Sequence, residues 1–124
     1  MTMDRPDLGT FSMSLSVRNL EASLAFYGHL GFDVVDGGHM HPEWADSGDK
    51  KWRILHSGSI KIGLFQGLFA GNVITFNPAD VRSIQKHLKA HGVEIHQATD
   101  DAGEGPAHIT LIDPDGNAVL IDQH

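Results

Sequence analysis

The feature that most constrains the fold is an internal repeat. "LGFDV" at Leu30–Val34 returns as "HGVEI" at His91–Ile95, with Gly31 matched to Gly92, 61 residues on. The same offset lays Leu20 on Val81, Ser23 on Ile84 and Tyr27 on Leu88. Two copies are too few to stack as a solenoid, so the repeat marks a duplicated module. The module can be read from its first copy. "TFSMSLSV" alternates, with Met13, Leu15 and Val17 on one face and Ser12, Ser14 and Ser16 on the other, as a half-buried strand does. "NLEASLAFYGHLG" carries an N-cap at Asn19, apolar residues at helical spacing and a closing Gly31. "FDVV", then "WRILHS" and "SIKIGLF" around a Ser-Gly turn, read as three strands.

In the second copy "NVITF" is a strand, Asn77-Pro78 the start of a helix, Val81, Ile84 and Leu88 its apolar stripe and Gly92 its end. "VEIHQA" reads as a strand and "HITLIDPDGNAVLI" as a hairpin around Asp-Pro-Asp-Gly. The chain is thus predicted to be one α+β domain over residues 1–124. It consists of two tandem βαβββ modules, about 10–66 and 71–122, with helices at about 19–30 and 78–91. Each sheet with one face on a helix must place its other face somewhere, and two curled mixed sheets would line a shared concave cavity.

Composition excludes several functions. The formal net charge of −7 disfavours nucleic acid and anionic membrane surfaces, which need basic patches. No apolar run approaches the ~20 residues of a membrane span, and the N-terminus shows no signal-peptide pattern. There is no Cys, hence no disulfide, thiolate ligand or Cys nucleophile. A cytoplasmic location is expected.

The motifs "LSVRNLEASLAFYGHLGFDV", "IGLFQG" and "LIDPDGNAVLI", in this order, resemble the vicinal oxygen chelate superfamily of glyoxalase I, extradiol dioxygenases and bleomycin- and fosfomycin-resistance proteins. The likeness runs from about Thr10 to Ile121, with Asn19 in place of the usual Asp. It implies a divalent metal held on inward strand faces. Carried over position by position, the ligands fall on Ser12, on Gly63, within Gly71–Val73 (where Asn72 offers an amide oxygen) and on Leu120. A divalent site needs several convergent His or carboxylate donors, so no metal and no other cofactor is predicted. A divalent metal is the alternative.

The nine histidines were considered as a substitute site. His39, His41 and Glu43 in "GGHMHPEW" share a strand-like spacing, but they sit in a Gly-rich polar loop and read as solvated. Trp44 in that loop is a candidate to cover an apolar ligand. By strand parity His108 and Thr110 face the cavity. An offset of 57 matches His108 to Lys51 and Thr110 to Arg53, with Trp52 and Ile54 in the buried row. Ser12, Ser14, Lys61, Phe65 and Leu120 face inward by the same reasoning. Hydroxyls, an imidazole and a cation in an apolar wall suit a small molecule. Arg53 and Lys61 suggest that it carries an anionic group, and His108 is the one well-placed general base.

The resulting expectation is a bleomycin-resistance-like small-molecule-binding protein, a homodimer, with ligand residues Ser12, Ser14, Trp44, Arg53, Phe65, Thr110 and Leu120. The alternative is a lyase, isomerase or dioxygenase-like enzyme that uses His108 or an atypical metal site.

Overall fold

The computed structural model describes residues 5–38 and 46–124. Among these residues seven strands and two helices give an α+β architecture. It divides into two compact units, Ser12–Val73 and the remainder.

The first unit contains most of β1 (Thr10–Val17), then α1 (Leu20–His29), β2 (Asp33–Asp36), β3 (Lys51–Ser57) and β4 (Ile60–Gln66). Its strands lie in the order β2-β3-β4-β1. β4 pairs in parallel with β1 and antiparallel with β3. Gly58, with φ +59°, takes the first central place of the β3–β4 turn, where a type II′ turn uses glycine. α1 begins where Asn19, in extended backbone, accepts a hydrogen bond from the Ala22 N–H at 3.1 Å. Leu20, Leu55, Ile62 and Leu64 form the core beneath it, with Met13, Leu15, Val17, Leu24, Tyr27 and Phe32 around them.

The second unit holds β5 (Val73–Asn77), α2 (Val81–Ala90), β6 (Ala107–Ile112) and β7 (Ala118–Gln123), with strand order β5-β7-β6. Its core is Val81, Ile84, Ile109 and Ile121. The β6–β7 turn is organised by Asp113. Its carboxylate accepts from the Asp115 and Asn117 backbone N–H groups and from Asn117 Nδ2, all within 2.9 Å.

The repeat is physical as well as textual. Leu20 and Val81, the first helical residues of the two copies, are both fully buried. Each gives its N–H to a glutamine at the end of its unit's last strand. Leu20 N–H donates to Gln66 Oε1 at 2.8 Å, and Val81 N–H to Gln123 Oε1 at 2.9 Å. The side chain of the last strand thus satisfies a backbone donor that the first helical turn leaves open.

Two expectations change. α2 starts at Val81, not at Asn77-Pro78, and its cap is Asp80, whose carboxylate accepts from Ser83 N–H at 3.1 Å. Asn77 ends β5 instead, and its amide donates to the Asp122 carbonyl at 2.9 Å. "VEIHQA" forms no strand beyond a bridge of Gln97 to Thr110. The following loop is instead tied to α2. Gln85, fully buried, exchanges two hydrogen bonds of 2.9 Å with the Thr99 backbone and donates to Asp101 at 2.7 Å. Arg82 reaches Asp100 and the Gly105 carbonyl. Side chains of the helix thus satisfy backbone groups that a strand ladder would otherwise have satisfied.

Candidate functional site

Strand register decides which side chains share a face, because directly paired residues point the same way. In the first unit Arg53 is paired with Leu64 and Leu55 with Ile62. Leu64, Leu55 and Ile62 belong to the core under α1. The opposite face, turned away from α1, carries Trp52 across from Phe65, Ile54 across from Gly63 and His56 across from Lys61. On the neighbouring strand Ser14 is paired with Gly63 and Ser16 with Phe65. Ser12, Ser14 and Phe65 therefore lie on the helix-free face, as parity predicted, and Ser12 and Ser14 are buried there.

Arg53 does not lie with them. It alternates with Leu55 on the α1 side, and Trp52 and Ile54 take the face expected for it. The guanidinium makes a bidentate pair with Asp46, Nη1 to Oδ1 at 2.9 Å and Nη2 to Oδ2 at 2.7 Å, and Nη1 also donates to the Trp52 carbonyl. The Arg53 hydrogen bonds hold the Asp46 carboxyl below the usual carboxylate range, and the same pairing binds the guanidinium proton more tightly. Gly38 packs against this guanidinium, so closely that a Cβ there would overlap it. Arg53 thus ties Gly38 and Asp46 together and is already engaged. The expected anionic subsite loses Arg53, and Lys61 is the cation left on the helix-free face.

Three aromatic rings dominate the helix-free face of the first unit. Trp52 and Phe65 are stacked, with centroids 6.3 Å apart and planes 15° from parallel. Phe69 meets Phe65 edge-on at 4.9 Å. The Ser16 hydroxyl donates to the Phe69 carbonyl at 2.9 Å, which fixes that end of the cluster. Phe65 is expected on this face from strand parity, whereas Trp52 is expected in the buried row and lies here instead, and Phe69 is a further member. A lone aromatic on a loop carries no parity signal.

The positions where the family's metal ligands would fall can be tested for fit. At Gly63 a Cβ would run into Phe65 Cε2 and lie 3.3 Å from Ile54 Cδ1. The space a carboxylate side chain needs is filled by an aromatic ring. Asn72 Oδ1 accepts from Ser16 N–H at 3.0 Å and so serves the backbone. Ser12 and Leu120 supply no strong donor. These residues do not fit a metal ion. Among the described residues no group of three or more His, Cys, Asp or Glu side chains converges. His39, His41, Glu43 and Trp44 lie outside the described residues.

In the second unit His108 is paired with Asp122 and Thr110 with Leu120, on the face opposite Ile109 and Ile121 of the core. The expected alternation of His108 and Thr110 with Ile109 is thus present in β6. His108 is exposed. The Thr110 hydroxyl is buried and finds no hydrogen-bond partner among the described residues. An orphaned buried hydroxyl is unusual and points to a water or ligand.

Comparison with known proteins agrees with this architecture. Residues 9–121 match the family model of the Glyoxalase/Bleomycin resistance protein/Dioxygenase superfamily. A superfamily member from Vibrio splendidus 12B01 superposes with a TM-score of 0.61 at 17% identity, over 91% of this chain and 96% of that one. The methylmalonyl-CoA epimerase of Streptomyces coelicolor gives 0.64 at 17% identity, over 94% and 98%. A 2,3-dioxygenase from Pseudomonas sp. KL28 gives 0.55 at 18% identity, over 91% of this chain and 41% of that one. At such identities these structures show a shared fold. No curated protein matches the sequence.

Proposed function

This chain belongs to the glyoxalase/bleomycin resistance protein/dioxygenase superfamily, and from that membership we propose that it is a small-molecule-binding protein of the bleomycin-resistance kind, holding its ligand without breaking a bond and without the family's metal centre. One observation carries the reading: the Phe65 ring fills the space over Gly63 into which a ligating acid would project, and it stacks there on Trp52. An aromatic wall beside the buried hydroxyls Ser12 and Ser14 suits an apolar, planar ligand with a hydrogen-bonding edge. We further propose that the protein works as a cytoplasmic homodimer.

The test is a thermal-shift screen of planar aromatic compounds followed by titration calorimetry. Trp52→Ala and Phe65→Ala should each weaken a bound aromatic by about 1–2 kcal/mol, roughly 5- to 30-fold. A metal ion retained through exhaustive dialysis, together with metal-dependent turnover, would overturn the reading.

A second reading has its own support. His108 is paired across the ladder with Asp122, and the orphaned Thr110 hydroxyl lies two residues along on the same strand face. An isomerase or lyase would use His108 as its acid–base group. His108→Ala would then abolish turnover, whereas a pure binder would lose affinity only.

A further inference from the structure

We propose that His87, in the last turn of α2, and His91, its C-cap, chelate a divalent first-row transition-metal ion. The two residues are four apart, so they share one helix face. Their rings stand side by side, with centroids 4.2 Å apart and planes tilted by 36°. The decisive contact is that of His91 Nδ1 with the His87 carbonyl oxygen at 2.9 Å. A carbonyl only accepts, so Nδ1 carries the proton and Nε2 keeps its lone pair. Metal-bound histidines are commonly held in this way: one ring nitrogen donates to a backbone carbonyl and the other faces the ion.

Two imidazole nitrogens bound to one ion at about 2.0–2.1 Å are roughly 3 Å apart. Side-chain rotation brings neighbouring rings at this separation to that spacing. His91 is exposed and His87 partly so, which gives the ion and its remaining waters access. The site lies at the negative end of the helix dipole, and the chain's net charge of −7 favours a cation. Imidazole donors select Cu²⁺, Ni²⁺ and Zn²⁺ over Mg²⁺ and Ca²⁺, and Cu²⁺ binds tightest.

The experiment titrates the full chain with Cu²⁺, then Ni²⁺ and Zn²⁺, in a non-coordinating buffer. Calorimetry measures affinity, and NMR records which histidine rings are broadened by substoichiometric Cu²⁺. His87→Gln and His91→Gln are compared with a control, His39→Gln/His41→Gln. The expected result is first broadening at His87 and His91, affinity in the order Cu²⁺ above Ni²⁺ and Zn²⁺, and at least a 30-fold loss in either single variant but not in the control. Melting without metal confirms that the variants fold. Tightest binding that survives both single substitutions, or that is lost in the control, overturns the proposal. The planar-ligand screen is read on Trp52 and Phe65, so failure of one proposal leaves the other standing.

Discussion

At Gly63 a single missing Cβ makes room for the Phe65 ring, and the contact is close enough to predict its energetics. Gly63→Ala forces Phe65 off its present position against Trp52, an overpacking expected to cost about 1–3 kcal/mol. The double variant Gly63→Ala/Phe65→Ala should cost less than the sum of the two single changes, because removing the ring removes the clash. Chemical denaturation of the four proteins measures this. Arg53 gives a second prediction. Asp46 is held below its ordinary value by the Arg53 hydrogen bonds, so its folded pKa lies under its unfolded one. The pairing therefore stabilises the fold above the ordinary carboxylate pKa, near 3.8, and that stabilisation disappears as pH falls through the lower folded value. Melting curves should show Asp46→Asn less stable than the parent at pH 7, with the gap closing at more acid pH. These two residues also show what the sequence concealed. In "WRIL" both alternations carry apolar residues, so parity alone did not say which row is core. Leu55 is buried to 1% exposure, and that assigns Arg53 to the helix side. For Ser12, Ser14, His108 and Thr110 the strand face is legible in the sequence, because their strands have one plainly apolar row.

The two helices show how far the copies have diverged as elements. α2 is strongly amphipathic, and its inward side includes the polar Arg82 and Gln85, both buried. α1 is apolar on its outer side too, with Phe26 and Leu30 about 60% exposed. The polar pair of α2 accounts for the missing strand. Gln85 satisfies both the N–H and the carbonyl of Thr99, so the segment after Val93 is pinned by side chains. "VEIHQA" has a strand's composition, and nothing local in it revealed this rival arrangement (its determinants lie a helix away in sequence). Gln85→Ala should leave two backbone groups of Thr99 without partners, at a cost of about 2–3 kcal/mol. Hydrogen exchange should then speed up at Thr99, with the β6–β7 hairpin keeping most of its protection.

On the scale of the whole molecule, the duplication was the most legible feature. Both helices, both hairpins and the buried pair Leu20 and Val81 follow from it. The occupant of the helix-free faces was not legible, since ligand identity is written in a few side-chain positions that periodicity does not report. Assembly draws on the remaining surface. In the first unit Phe26, Leu30, Val34 and Val35 are each more than half exposed. Large exposed apolar groups of this kind favour association. Against that stands the net charge of −7 on each chain, which makes two copies repel. Salt weakens that repulsion by screening it and leaves apolar burial intact, the Debye length shrinking from about 30 Å at 0.01 M to about 8 Å at 0.15 M. The proposed homodimer should therefore tighten as sodium chloride rises from 10 to 150 mM, in the opposite direction to a dimer held by ion pairs. Light scattering across a dilution series at each salt concentration measures the shift. Phe26→Glu/Leu30→Glu should raise the dissociation constant at least tenfold at both salts, because it removes apolar area and adds like charge at once. A monomer mass for the parent at micromolar concentration in 150 mM salt would refute the assembly, and a mass unaffected by the double substitution would move the interface away from α1.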